Sequence, residues 1–117
     1  MKFKFEKLHV WKLSMDLGED INNLIKSFPI EERYNLNSQL LRATDSVALN
    51  ISEGSIGQSN RELNRFIGYS IRSLAEVVTC LYKAKHRSYI DEQIFRSYYE
   101  KCFELMNNLI AFKKSVK

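Results

Sequence analysis

The side chains of this sequence best suited to a chemical role are cations that recur along one predicted helix. Between Ser59 and Ser88 there are six Lys and Arg residues and only two Glu residues, an excess equal to the +4 net charge of the whole chain. On a helical wheel, five of these cations fall within about 80°, almost opposite the apolar face. The five are Arg61, Arg65, Arg72, Lys83 and Arg87. Such a line of cations can follow a phosphate backbone and predicts RNA binding. A solvated outer face, interrupted by Glu76, is the alternative interpretation.

A polar stripe lies within about 60° on one edge of the preceding helix's apolar face. It consists of Gln39, Ser46, Asn50 and Glu53, with Gly54 beside it. Polar groups next to a core need partners, so the stripe predicts interhelical hydrogen bonds, with Gly54 allowing another backbone to approach closely. A general acid/base role for Glu53 is the weaker alternative, because no nucleophile or histidine lies near it in sequence.

The remaining reactive residue types do not form a recognisable site. His9 and His86 are far apart, and Cys80 and Cys102 are not part of a CxxC motif. Neither a glycine-rich phosphate loop nor a nucleophile elbow is present. We therefore predict no metal, no cofactor and no enzymatic activity. The spacing of the two cysteines indicates reduced thiols. The sequence has no signal segment and no apolar run near the ~20 residues of a membrane span. We therefore predict a cytoplasmic protein without a membrane partner.

Apolar residues at steps of three and four predict four helices that would carry these side chains. Pro29 ends the first helix, and Glu31 and Glu32 suit the first turn of the second. Ser59 and Glu62 have the spacing of a capping box at the start of the third helix. The predicted helices cover residues 8–27, 31–57, 60–87 and 91–115.

At 13.8 kDa, the 117 residues can bury one hydrophobic core. Four Gly and one Pro are too few for the turns of a β-sandwich or barrel. Short loops between long amphipathic helices make neighbouring helices antiparallel. The sequence therefore predicts an all-α fold, a single antiparallel up-down-up-down four-helix bundle over residues 1–117.

Three of the predicted helices have more apolar surface than one core requires. The fourth helix carries a second apolar stripe beside its core seam, and the first has large apolar residues off its main stripe. The second helix adds Leu41, Ala48 and Ile56 off its own stripe. A contiguous exposed apolar patch usually marks an interface, which predicts a homo-oligomer. A large core with a few exposed hydrophobic residues is the other interpretation. The predicted interface residues are Trp11, Met15, Tyr99, Phe103 and Met106.

The stretch from Gln39 to Gly54, QLLRATDSVALNISEG, resembles the signature of the four-helix-bundle proteins encoded by intervening sequences in bacterial 23S ribosomal RNA genes. An opening with Phe5, Leu8, Val10 and Trp11 is also similar to that family. The sequence departs from the family pattern at three positions. Ser52 replaces the usual alanine, Ala48 stands where proline is frequent, and Arg72 stands where glycine is common.

The resemblance implies a helical bundle that assembles into rings, often pentamers. It also implies a distant similarity to the accessory proteins of diversity-generating retroelements, in which a basic bundle engages reverse transcriptase and nucleic acid. Our main hypothesis is a non-enzymatic homo-oligomer whose basic faces bind RNA or a nucleic-acid-processing partner. Two lysine tails would add sequence-independent affinity: Lys2, Lys4 and Lys7 at the N-terminus, and Lys113, Lys114 and Lys117 at the C-terminus. The alternative is a scaffold or adaptor that binds only protein.

Overall fold

A computed structural model describes residues 1–116, and Lys117 of the predicted lysine tail lies outside the described residues. The described part is helical and contains no strand. Short 3-10 turns at Lys4–Lys7, Ile25–Ser27 and Ile30–Glu32 accompany the four main helices. These helices are α1 (His9–Leu24), α2 (Leu36–Ile56), α3 (Asn60–His86) and α4 (Glu92–Ser115). The predicted all-α class is confirmed.

Each helix packs against its neighbours in the chain, and α4 returns to pack against α1. Side-chain contacts show the antiparallel directions of the helices. Ser46 of α2 meets Ser73 of α3. Gln39, seven residues earlier in α2, meets Cys80, seven residues later in α3, so the two helices run in opposite directions. At the α1–α4 contact, the Tyr98 hydroxyl donates to the carbonyl of Asp20 at 3.1 Å. The result is the predicted up-down-up-down bundle, 43 × 24 × 23 Å in extent.

A continuous core runs along the axis of the bundle and contains the apolar stripe of every helix. Cys80 and Cys102 are buried in it and unpaired. Burial raises the pKa of the Cys102 thiol to about 12, so this side chain is a protonated apolar group at neutral pH. The largest fully buried side chains include Ile21, Leu40, Ile51, Ile67, Leu74, Leu81, Phe95, Leu105 and Leu109.

A close contact between helices joins α2 and α3 at Gly54. A Cβ atom added to Gly54 would lie 2.7 Å from Cβ of Phe66 and 3.4 Å from Cα of Leu63. No larger residue fits there without moving α3, because both of these atoms are in or next to its backbone. Farther along, the Ser70 hydroxyl donates to the carbonyl of Val47 at 2.8 Å. Together these contacts determine the distance and register between the two helices.

The start of α2 differs from the prediction, which began this helix at residue 31. Residues Ile30–Glu32 form a 3-10 turn, and α2 begins at Leu36. Glu32 is therefore not an acid in the first turn of α2, and it is buried. Its Oε1 atom accepts hydrogen bonds from the Leu36 amide at 3.3 Å and from Asn35 Nδ2 at 3.0 Å. The side chain of Glu32 thus supplies an acceptor where the helix has none for its first amides.

The other carboxylate oxygen of Glu32 binds the turn between α3 and α4. It accepts from the Tyr89 hydroxyl at 2.6 Å and from Arg87 Nη1 at 2.9 Å. Ser88, with φ of 62°, is the left-handed residue that closes α3 and directs Tyr89 towards Glu32. The hydrogen bond from Tyr89 is the main cause that lowers the pKa of Glu32, and the same bond raises the pKa of Tyr89.

We expect Gly54→Ala to destabilise the protein by about 2 kcal/mol, because the added methyl group must push α3 away from α2. Gly18→Ala is the matched control: its added Cβ would meet only Thr44 Cγ2, at 3.9 Å. That change should stabilise the protein by about 0.5–1 kcal/mol through the better helix propensity of alanine. Urea unfolding of both variants tests this, and an equal effect of the two substitutions would contradict the close contact at Gly54.

We also expect the Glu32 carboxylate to make stability depend on pH. The folded-state pKa of Glu32 is below its ordinary value of 4.5, so its contribution is present above that value and is lost as the pH falls through the folded pKa. Glu32→Gln should therefore flatten the decrease in melting temperature between pH 6 and pH 3. Glu31→Gln, a substitution at the exposed neighbouring position, should leave that decrease unchanged. If the melting temperatures of the two variants fell in parallel with pH, this role of the Glu32 carboxylate would be contradicted.

Candidate nucleic-acid interface

The predicted basic residues lie on the face of α3 that points away from the core. All five are exposed. Within residues 1–116, Arg61, Arg65, Arg72 and Lys83 form no ion pair with a carboxylate. We call these four residues the α3 basic face. Their charges remain available to an anionic ligand, although Glu76, also exposed on α3, lies between Arg72 and Lys83 in sequence.

Arg87, the fifth predicted phosphate-binding residue, differs from the other four. Its guanidinium donates to the buried carboxylate of Glu32, and its side chain is 39% exposed. Removing Arg87 would leave that carboxylate without a cation, so the residue belongs to the turn that closes the bundle. Lys85 is also engaged, because it pairs with Glu92 and lies over the ring of Phe95.

A pocket of about 510 Å³ lies at the start of α3. Its cations are Arg61 and Arg65 of α3 and Lys113 of α4. The stem of Lys113 crosses α3 where Gly68 has no side chain, since a Cβ atom there would lie 3.6 Å from Lys113 Cε. The other lining residues are Ser59, Glu62 and Asn64. We call this the α3–α4 pocket.

The members of the predicted polar stripe have different surroundings. Ser46 accepts from the Ser73 hydroxyl at 2.9 Å and from Asn50 Nδ2 at 2.9 Å, and Gln39 Oε1 is 3.9 Å from the Cys80 sulfur. These contacts lie between α2 and α3 or along α2. Glu53, by contrast, is exposed. Gly54 is buried at the close contact described above.

A groove of about 660 Å³ runs between α1 and α2. Met15 is 44% exposed along it, whereas Trp11 is half-buried and has one side covered by Phe5, with 5.2 Å between the ring centroids. Leu49, a lining residue that is 62% exposed, was not among the predicted interface residues. Leu49 lies seven residues before Ile56, an apolar residue off the core stripe of the same helix, and this spacing could have found it.

On the other side of the bundle, α4 presents a ridge of apolar side chains, which we call the α4 ridge. Its residues are Tyr99, Phe103 and Ile110. Phe103 is 57% exposed, and its ring lies 6.1 Å from that of Tyr99. Tyr99 also meets Tyr82 of α3, so the ridge faces the α3 side of α4. Met106, predicted with this group, is half-buried and packs against the core.

Residues 6–111 match the 23S rRNA-intervening sequence protein family. The chain belongs to this family. The solved structures that are similar to it include a protein of unknown function from the S23 ribosomal protein family of Bacteroides thetaiotaomicron. That structure superimposes with a TM-score of 0.83 at 23% identity, covering 91% of this chain and 96% of its own. No curated protein matches the chain.

At this level of identity the structural similarity shows the fold, and the Bacteroides protein is itself described as having unknown function. The surface of this family member therefore has to be interpreted from its own residues. Among residues 1–116, no three His, Cys, Asp or Glu side chains are grouped to hold a metal ion. None of the described helices is long and apolar enough to cross a membrane.

Proposed function

We propose that this family member is a non-enzymatic homo-oligomer whose α3 basic faces bind RNA. The observation that carries the proposal is the α3 basic face itself, with four exposed cations that no carboxylate of residues 1–116 pairs with. Unpaired cations arranged along a helix attract a phosphate backbone regardless of base sequence. Tyr69, 38% exposed on the same helix, adds an aromatic surface on which an unpaired base can stack.

The two apolar surfaces support self-association. The α1–α2 groove and the α4 ridge are different in shape and lie on opposite sides of the bundle, because α4 carries its ridge towards α3. Two unlike surfaces on opposite sides favour a heterologous contact, in which the ridge of one copy packs into the groove of the next. Such contacts close into a ring when the rotation between copies allows it, and we propose a ring such as a pentamer.

Assembly would strengthen RNA binding by presenting several α3 basic faces to one strand. Each copy adds another α3 basic face, and a strand held by one face encounters the next at high effective concentration. The unpaired cysteines agree with a reducing compartment, and we place the protein in the cytoplasm. A protein-only scaffold is the alternative, and it differs in its response to salt because apolar docking does not release counterions.

We expect the wild-type protein to bind a single-stranded RNA with an affinity that falls steeply with salt. The double variant Arg72→Gln/Lys83→Gln should reduce the slope of log affinity against log salt by about 0.7 per phosphate contact removed. Fluorescence anisotropy across a potassium chloride series measures this slope.

The matched control is Lys12→Gln/Lys26→Gln, which removes the same amount of charge from two exposed positions. Lys12 lies in α1, and Lys26 follows the end of α1. Its slope should equal that of the wild type. Equal slopes for both double variants would assign the attraction to net charge and would overturn the role of the α3 basic face. Absence of RNA binding at low salt would favour the scaffold.

We expect Met15→Asp, in the groove, and Phe103→Asp, on the ridge, each to abolish assembly, because a buried unpaired carboxylate is costly. A heterologous contact makes a sharper prediction for the two variants mixed together. Each pair then retains one intact ridge and one intact groove, so the mixture should form a dimer of about twice the 13.8 kDa chain mass and nothing larger. Sedimentation velocity distinguishes these species.

Ile30→Asp is the control for adding a carboxylate at an exposed apolar residue, since Ile30 is 76% exposed and lines neither surface. This variant should assemble like the wild type. A wild-type protein that sediments as a monomer would contradict self-association, and a mixture that stays monomeric would contradict the pairing of ridge with groove.

A further inference from the structure

We propose that the α3–α4 pocket binds a phosphate monoester and thereby anchors the phosphorylated 5′ end of the RNA strand that follows the α3 basic face. This inference rests on the proposed RNA binding for the strand, while the pocket itself can be tested alone. It assigns to Arg61, Arg65 and Lys113 a ligand different from the internal phosphates met by Arg72 and Lys83.

The charge of the pocket matches a monoester. Its lining has three cations and one carboxylate, that of Glu62, which leaves a net charge of +2. A phosphate monoester carries about −1.5 to −2 at neutral pH, whereas an internal phosphodiester carries a single negative charge. The pocket therefore complements a terminal phosphate more closely than any one phosphate inside a strand.

Contacts within the bundle hold two of the three cations, Lys113 and Arg65, near the pocket. Lys113 extends over Gly68 from α4, and the guanidinium of Arg65 lies 5.4 Å from the ring centroid of Phe66. The Glu62 carboxylate lies against Gly57, where a Cβ atom would collide with it. Within residues 1–116, none of the three cations forms an ion pair with Glu62 or another carboxylate. Three mutually repelling charges around one cavity are relieved by a bound anion.

The position of the pocket favours the end of a strand. It lies in the first turns of α3, so the α3 basic face continues from it in one direction only, towards Lys83. From Arg65 to Lys83 the helix rises about 27 Å. An RNA strand laid along this face reaches the pocket, which has a volume of about 510 Å³, at one end of the face.

The pocket is tested first without RNA, using the full chain and adenosine 5′-monophosphate, with adenosine as the ligand that lacks the phosphate. We expect calorimetry to detect binding of the monophosphate and not of adenosine. Lys113→Gln should weaken that binding about tenfold, the loss typical of one charge-assisted hydrogen bond. Lys114→Gln makes the same change at the next residue, which does not line the pocket, and should alter the affinity less than twofold. Equal effects of the two variants, or no binding of the monophosphate, would overturn the assignment.

The strand end is tested with one RNA sequence made with a 5′-phosphate and with a 5′-hydroxyl. The wild type should bind the phosphorylated form about tenfold more tightly, and Lys113→Gln should lose this preference while Arg72→Gln keeps it. RNA binding without any preference would overturn the inference and leave the proposed function intact. Binding of the monophosphate with no RNA binding would sustain the pocket and refute the proposed function. Equal affinity for the monophosphate and the phosphorylated RNA would make the pocket a site for free monoesters and refute the strand anchor.

Discussion

The close approach of α2 and α3 at Gly54 is the constraint on which the other features of this bundle depend. With Phe66 and Leu63 directly against the glycine, the two backbones can adopt only a narrow range of separation and rotation. The hydrogen bonds from Ser70 to Val47 and from Ser73 to Ser46 are satisfied at the same register, so polar pairing and steric fit agree. Once α3 is oriented in this way, its opposite face is the one that faces solvent, and that face carries the unpaired cations.

A second contact completes the other end of the bundle. Glu32 joins the start of α2 to the turn after α3, through Tyr89 and Arg87, and so couples the two loops that lie there. Every acceptor position of this carboxylate is used locally or across the loops, which is why a buried charge is tolerated. The same contact explains why not every cation near α3 is equivalent. Arg87 stabilises the fold, whereas Arg61, Arg65, Arg72 and Lys83 have no comparable structural partner within residues 1–116.

The arrangement separates the surfaces needed for the proposed function. Apolar side chains occupy the α1–α2 groove and the α4 ridge, while the α3 basic face lies along one side of the bundle and is free of large exposed aliphatic residues. Assembly through groove and ridge is therefore compatible with leaving cations exposed on each copy. The groove itself is lined by Glu19 and Asp45 as well as apolar residues, so it repels the phosphate that the α3 basic face attracts.

Much of this protein was predictable from its sequence, because helical periodicity is a local property. The apolar steps of three and four predicted four helices, and Pro29 and Ser59 marked two of their boundaries. Wheel angles placed Arg61 to Lys83 opposite the core. Interactions between distant residues were not predictable in this way. Glu32 has the sequence pattern of a solvated first-turn acid, and only the arrival of Tyr89 and Arg87 makes it a buried acceptor. Lys113 belongs to a lysine tail in the sequence, and only the antiparallel packing of α4 on α3 brings it beside Arg61 and Arg65. Local spacing determines which face of a helix a side chain occupies, but the register between helices decides which faces meet, and that depends on contacts such as Gly54 with Phe66.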